Sequence, residues 1–141
     1  MSASLPPIPE LKRILLVDDE VTFATIVALQ LERTGRYQVR CLHRGSEVLP
    51  VARDWMPDIV LLDFLMPDMD GGEVFKLLKA NASLKHIPVI FLTAVATEDS
   101  PLEIGVRPGR LTLAKPVSFE KLDHSIQLLL GMDSGLQPSL C

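Results

Sequence analysis

The most constraining feature of this sequence is a series of short, uninterrupted apolar runs, most of them closed by a polar residue able to do chemistry. Lys12–Val17 (KRILLV) runs into Asp18-Asp19, residues 58–63 (DIVLLD) end on Asp63, residues 88–92 (PVIFL) precede Thr93, and residues 111–114 (LTLA) precede Lys115. A strand with one face in water alternates apolar and polar side chains, whereas a strand covered on both faces has no need to. Runs of this kind therefore predict a sheet sandwiched between helices. With Tyr37–Leu42 as a further short strand, five strands are expected.

The intervening segments carry the helical period. Phe23, Ile26, Val27 and Leu31 recur at helical spacing within residues 20–33, and Gly35 supplies a stop. Residues 46–55 form a second helix, halted before Pro57, and Gly71-Gly72 leads into a third with Val74, Leu77 and Leu78 on one face. The last helix runs from Ser118, its N-cap, to about residue 130, with Phe119, Leu122, Ile126 and Leu129 on one stripe. Five βα units within 141 residues predict one α/β domain, a doubly wound five-stranded parallel sheet of flavodoxin-like strand order 2-1-3-4-5 with helices on both faces. Residues 1–10 read as an irregular lead-in with three prolines, 11–131 as the domain, and 132–141 as a short flexible tail too short for an effector domain. The segment 97–110 holds Pro101, Gly105, Pro108 and Gly109, so a short helix or an irregular, mobile loop is expected there.

Composition narrows the function classes. A net charge of −4 argues against nucleic acid or anionic lipid as a partner, and no window is apolar enough to span a membrane. Residues 1–10 lack the basic and apolar regions of a secretory leader, and with two distant cysteines a reduced cytoplasm is expected. Cys41, inside a strand, is expected to be a buried free thiol. His43, His86 and His124 are scattered without metal-ligand spacing. Asp68 and Asp70 read as turn residues, and Trp55 as packing at a helix end.

Ligands of such sheets bind beyond the carboxyl ends of the strands. Asp18, Asp19, Asp63, Thr93 and Lys115 all fall at that rim. Two unit charges 4 Å apart repel by about 4 kcal/mol at an effective dielectric near 20, so three converging carboxylates require cations among them. Lys115 provides one, and the remainder suits Mg²⁺, a hard ion that takes carboxylate oxygens and keeps several waters. In such a setting Asp63 becomes a usable nucleophile toward phosphorus, and the Thr93 hydroxyl a donor to the transferred group.

Together LLVDDE (15–20), PDIVLLDFLMPDMDG (57–71), IPVIFLTA (87–94) and LAKP (113–116) resemble the receiver domain of two-component response regulators, over about residues 12–131. The intervals of 44, 30 and 22 residues, from Asp19 to Asp63, on to Thr93 and on to Lys115, suit that family. The resemblance implies a signalling phosphoacceptor that catalyses only its own phosphorylation and dephosphorylation. It makes Asp63 both the acceptor and a metal ligand, Asp19 the direct metal ligand of the acid pair, Asp18 a partner acting through water, and the Leu65 carbonyl the completion of the metal site. Thr93 becomes the switch hydroxyl, the Ala94 backbone N–H a phosphoryl donor and Lys115 the phosphate-pairing lysine, usually followed by a cis peptide to Pro116. The implied partners are a histidine kinase or phosphotransfer protein and, for output, another protein or a second copy.

Two departures stand out. Thr112 occupies the position, three before the lysine, where the family carries an aromatic that swings inward, so signalling is expected to use reordering of residues 97–110 instead. Leu65 and Val95 are apolar where many relatives are polar, which predicts slow hydrolysis of the phosphoryl group. Three other functions were weighed. A haloacid dehalogenase-class phosphatase needs D-x-D at the first strand, where this chain has D-D-E. A flavodoxin-type FMN binder needs a hydroxyl- and glycine-rich loop there. A phosphorylation-independent docking module of the same fold remains the alternative.

Overall fold

The computed structural model describes residues 10–94, 105–107 (backbone only) and 110–132. Its strands are β1 (Lys12–Val17), β2 (Tyr37–Leu42), β3 (Ile59–Leu62), β4 (Val89–Thr93), β5 (Gly105–Arg107) and β6 (Arg110–Ala114), and its helices are α1 (Val21–Glu32), α2 (Val48–Trp55), α3 (Gly71–Ala80) and α4 (Phe119–Leu130). They form one sheet in the order β2-β1-β3-β4-β6-β5. The first five of these pair in parallel, which is the expected 2-1-3-4-5 arrangement once β6 is counted as the fifth parallel strand.

The apolar runs are buried on both faces. Along β1, Ile14 and Leu16 face one core while Leu15 and Val17 face the other, and Ile59/Leu61 and Val60/Leu62 of β3 divide in the same way. On one side Ala24, Val27 and Leu31 of α1 and Leu122 and Ile126 of α4 close the core. On the other, Val48, Ala52 and Trp55 of α2 and Val74 and Leu78 of α3 do so. Each fully buried aliphatic side chain contributes about 1.5–3 kcal/mol relative to exposure, so the sheet's central strands carry much of the stabilisation. Trp55 packs at the end of α2 as expected, with the Arg40 guanidinium 4.7 Å from its ring centroid.

One expectation is corrected. Within the segment read as a short helix or loop, Gly105–Arg107 forms β5, which pairs antiparallel to β6 with Arg107 opposite Arg110. The two residues between these strands are Pro108 and Gly109. The side of β6 away from β4 offers unpaired backbone groups, and pairing along it makes Gly105–Arg107 a strand where the sequence predicts a helix or loop. The expectations for mobility and reordering across the rest of 97–110, and for Val95, fall outside the described residues, as do the lead-in through residue 9 and the tail from residue 133. Cys41 is also corrected, being only half-buried because β2 is an edge strand. No helix among the described residues is long and apolar enough to cross a membrane.

The loops at the carboxyl ends of the strands are fastened to one another. Asp70 caps α3 in a reciprocal box, its side chain accepting from the Glu73 N–H at 2.9 Å while the Glu73 side chain accepts from the Asp70 N–H at 3.3 Å. Asp68 accepts from the N–H groups of Gly45 and Ser46, both at 3.0 Å, across the neighbouring loop. Both aspartates therefore serve the turn, as expected. Gly71 lies so close to the chain leaving β3 that a Cβ there would stand 2.6 Å from the Asp63 carbonyl oxygen and 2.9 Å from the Phe64 Cα. Backbone atoms cannot swing aside. Gly71→Ala is therefore expected to destabilise the chain by about 1–3 kcal/mol, read by urea unfolding, and to perturb the amide resonances of residues 63–65 in the folded variant.

Candidate functional site

Parallel pairing in register places the ends of β1, β3, β4 and β6 side by side, and the chemistry-bearing residues follow directly. Asp18 and Asp19 leave β1, Asp63 leaves β3, Thr93 ends β4 and Lys115 leaves β6. Backbone hydrogen bonds lock these exits together, the Asp63 N–H donating to the Val17 carbonyl at 2.9 Å and the Lys115 N–H to the Thr93 carbonyl at 3.0 Å. Asp18 and Asp63 are buried, at 1% and 8% exposure, while Asp19 is exposed.

One carboxylate oxygen from each of Asp18, Asp19 and Asp63 lies within 4.8 Å of the other two, an all-oxygen group of the kind a hard divalent ion takes. Lys115 reaches into it. Its ammonium lies 2.7 Å from Asp18 Oδ2, 3.3 Å from Glu20 Oε1 and 3.9 Å from Asp63 Oδ2. Asp18 uses its other oxygen to accept from the Glu20 N–H at 2.9 Å. Burial lowers the lysine's pKa, but the Asp18 hydrogen bond and the charges of Asp63 and Asp18 outweigh it and the net shift is upward.

Asp63 is pushed the other way for a carboxylate. Burial, the Asp18 charge and the Asp19 charge raise its pKa to about 6, against the opposing pull of Lys115 and a hydrogen bond from the Leu65 N–H. Its environment thus disfavours the bare anion and rewards whatever cation or neutralising bond comes near.

The remaining expected residues fall in three settings. Leu65 is 54% exposed beside the cluster and touches Asp63 through its backbone. Ala94 is exposed just past β4, and Thr93 is fully buried. Thr112 lies deeper, opposite Phe91 in the β4–β6 register, fully buried, with no hydrogen-bond partner for its hydroxyl among the described residues. The Lys115-Pro116 peptide is cis. Sequence reasoning passed over two neighbours of the cluster. Glu20 contacts Lys115, and its place after the Asp pair was a usable signal. The His43 Nδ1 lies 2.8 Å from the Asp18 carbonyl oxygen, a contact set by the β2 exit and invisible in the spacing of the histidines.

Comparison with known proteins agrees with this geometry. The model of the response regulator receiver domain matches residues 14–127. The polar-differentiation response regulator DivK of Brucella anthropi is 32% identical over 120 residues, covering 85% of this chain and 97% of that protein. Among solved structures, the chemotaxis response regulator CheY4 of Vibrio cholerae aligns with a TM-score of 0.75 at 27% identity, over 85% of this chain and 99% of that one. A CheY-like receiver domain protein of Methanospirillum hungatei aligns at 0.76 and 26%, over 86% and 95%. Fold, rim geometry and these matches agree, and the chain belongs to the response regulator receiver domain family of two-component signalling.

Proposed function

We propose that this receiver domain takes a phosphoryl group on Asp63, in a Mg²⁺-dependent transfer from a histidine kinase or phosphotransfer protein in the cytoplasm. The observation that carries this reading is the convergence of three carboxylates and one ammonium at a single rim. An Asp63 carboxylate oxygen attacks phosphorus in line, its bond to phosphorus forming as the bond to the donor breaks. Mg²⁺, when bound, neutralises charge on the transferring oxygens. Asp19 and Asp63 would hold it directly, Asp18 would act through water, and the Leu65 carbonyl would complete the set. Lys115, 3.9 Å from Asp63 Oδ2, pairs with one phosphoryl oxygen, while the Thr93 hydroxyl and the Ala94 N–H donate to others. Each charge-assisted hydrogen bond is worth about 1.5–3 kcal/mol, and reversing a 1:99 equilibrium takes about 5.5 kcal/mol, so two or three suffice to drive a switch.

The output is a contact with another protein or a second copy of the chain. A phosphorylation-independent docking role is the second reading, favoured by Thr112, whose buried side chain is too small to fill the place of a swinging aromatic. Incubation with Mg²⁺ and acetyl phosphate, read by intact mass, separates the two. One added phosphoryl group is expected in the native chain and none in Asp63→Asn; an unmodified native chain would leave the docking role. The exposed, apolar Leu65 offers an attacking water no hydrogen bond, so Leu65→Asn is expected to shorten the phosphoryl half-life about two- to tenfold.

The raised pKa of Asp63 adds a test by stability. Between 3.8 and about 6 the folded chain holds a proton that the unfolded chain has released, so stability falls as pH rises through that window and then levels. In metal-free buffer, Asp63→Asn removes this penalty. The variant is expected to be more stable than the native chain by about 1–3 kcal/mol at pH 7, with the difference vanishing below about pH 4, read by urea unfolding across pH.

A further inference from the structure

Lys115 is gripped by more than its acidic partners. Its ammonium stands 4.2 Å from the centroid of the Phe23 ring, the shortest cation-to-ring distance among the described residues. Phe23 is half-buried on α1 and packs against the core beneath that helix. Core filling would explain any large apolar residue there, but not a π system set against a lysine side chain that is only 11% exposed. Glu20 supplies the independent observation. It is the N-cap of α1, where a side chain ordinarily accepts from the first turn, yet its carboxylate makes no capping bond and goes to Lys115 Nζ instead, at 3.3 Å.

We propose that Phe23 and Glu20 are positioning residues for Lys115: with Asp18 they hold its ammonium 3.9 Å from Asp63 Oδ2, poised to meet a phosphoryl oxygen arriving on that carboxylate. An unheld lysine spreads its charge over many rotamers, and a held one presents it at one point. The inference rests on reading Asp63 as the acceptor, and asks in addition what keeps the pairing cation in place.

The test uses the full chain. Phe23→Met keeps an apolar side chain of similar volume without a π face, and Phe23→Trp enlarges the face, with Phe23→Tyr replacing it should the indole not fold. In the native chain the Lys115 ε-methylene protons, observed by NMR with labelled lysine, are expected upfield of free lysine through the ring current. The shift should vanish in Phe23→Met and persist in Phe23→Trp. Phosphorylation by acetyl phosphate with Mg²⁺ is expected to slow about two- to fivefold in Phe23→Met, to recover in Phe23→Trp, and to slow by a similar factor in Glu20→Gln. Unshifted methylene protons in a native chain that is phosphorylated would overturn this proposal alone, as would a Phe23→Met chain as fast as the native one. A native chain with shifted protons that takes no phosphoryl group would overturn the acceptor reading and, with it, the role given to the two residues.

Discussion

Asp18 and Asp63 stand side by side at the rim of the sheet, almost wholly shielded from water, where two bare carboxylates repel strongly and neither is well solvated. What makes the arrangement tolerable is the Lys115 ammonium, bonded to Asp18 at 2.7 Å across 97 residues of chain. That bond ties the exit of β1 to the exit of β6, near the two ends of the fold. It also leaves the balance incomplete, since burial and the charges of Asp18 and Asp19 hold the Asp63 pKa up despite that ammonium. The fold thus maintains an electrostatic deficit at one point, and a deficit of that kind is what a cation or a phosphoryl transfer can exploit.

The rest of the architecture serves to keep that point fixed. β1 and β3, which run into Asp18, Asp19 and Asp63, have apolar side chains on both faces, so these carboxylates cannot be moved far without opening a core. Gly71, the Asp70–Glu73 box and the two bonds accepted by Asp68 hold the loop beyond Asp63 from three directions. A loop fastened in this way fixes the backbone on both sides of the turn that follows Asp63.

Much of this was legible in the sequence because the signals were redundant. An uninterrupted run such as ILLV specifies a strand with two covered faces, and parallel pairing then requires the residues after each run to meet. What stayed illegible depends on edges and on distance. Pro108 and Gly109 read as breakers of a helix, and only the presence of β6 with an unpaired side converts the neighbouring residues into β5. Cys41 looked buried because its run is apolar, and it is half-exposed because its strand ends the sheet. Phe23 fitted the apolar stripe of α1 so well that its period concealed its second neighbour, which lies 92 positions away in the chain. Thr112 stands out as a departure, but its complete burial, with a hydroxyl that has no partner among the described residues, could not be read from its identity.

The added strand β5 changes the standing of β6. With β4 on one side and β5 on the other, β6 is an interior strand, its main chain bonded along both flanks. A terminal strand can twist or slide against a single neighbour, whereas an interior one drags two. A displacement at the β6 exit therefore acts on two paired neighbours at once, and among the described residues the open edge at this end of the sheet belongs to Gly105–Arg107, not to the strand that runs into Lys115.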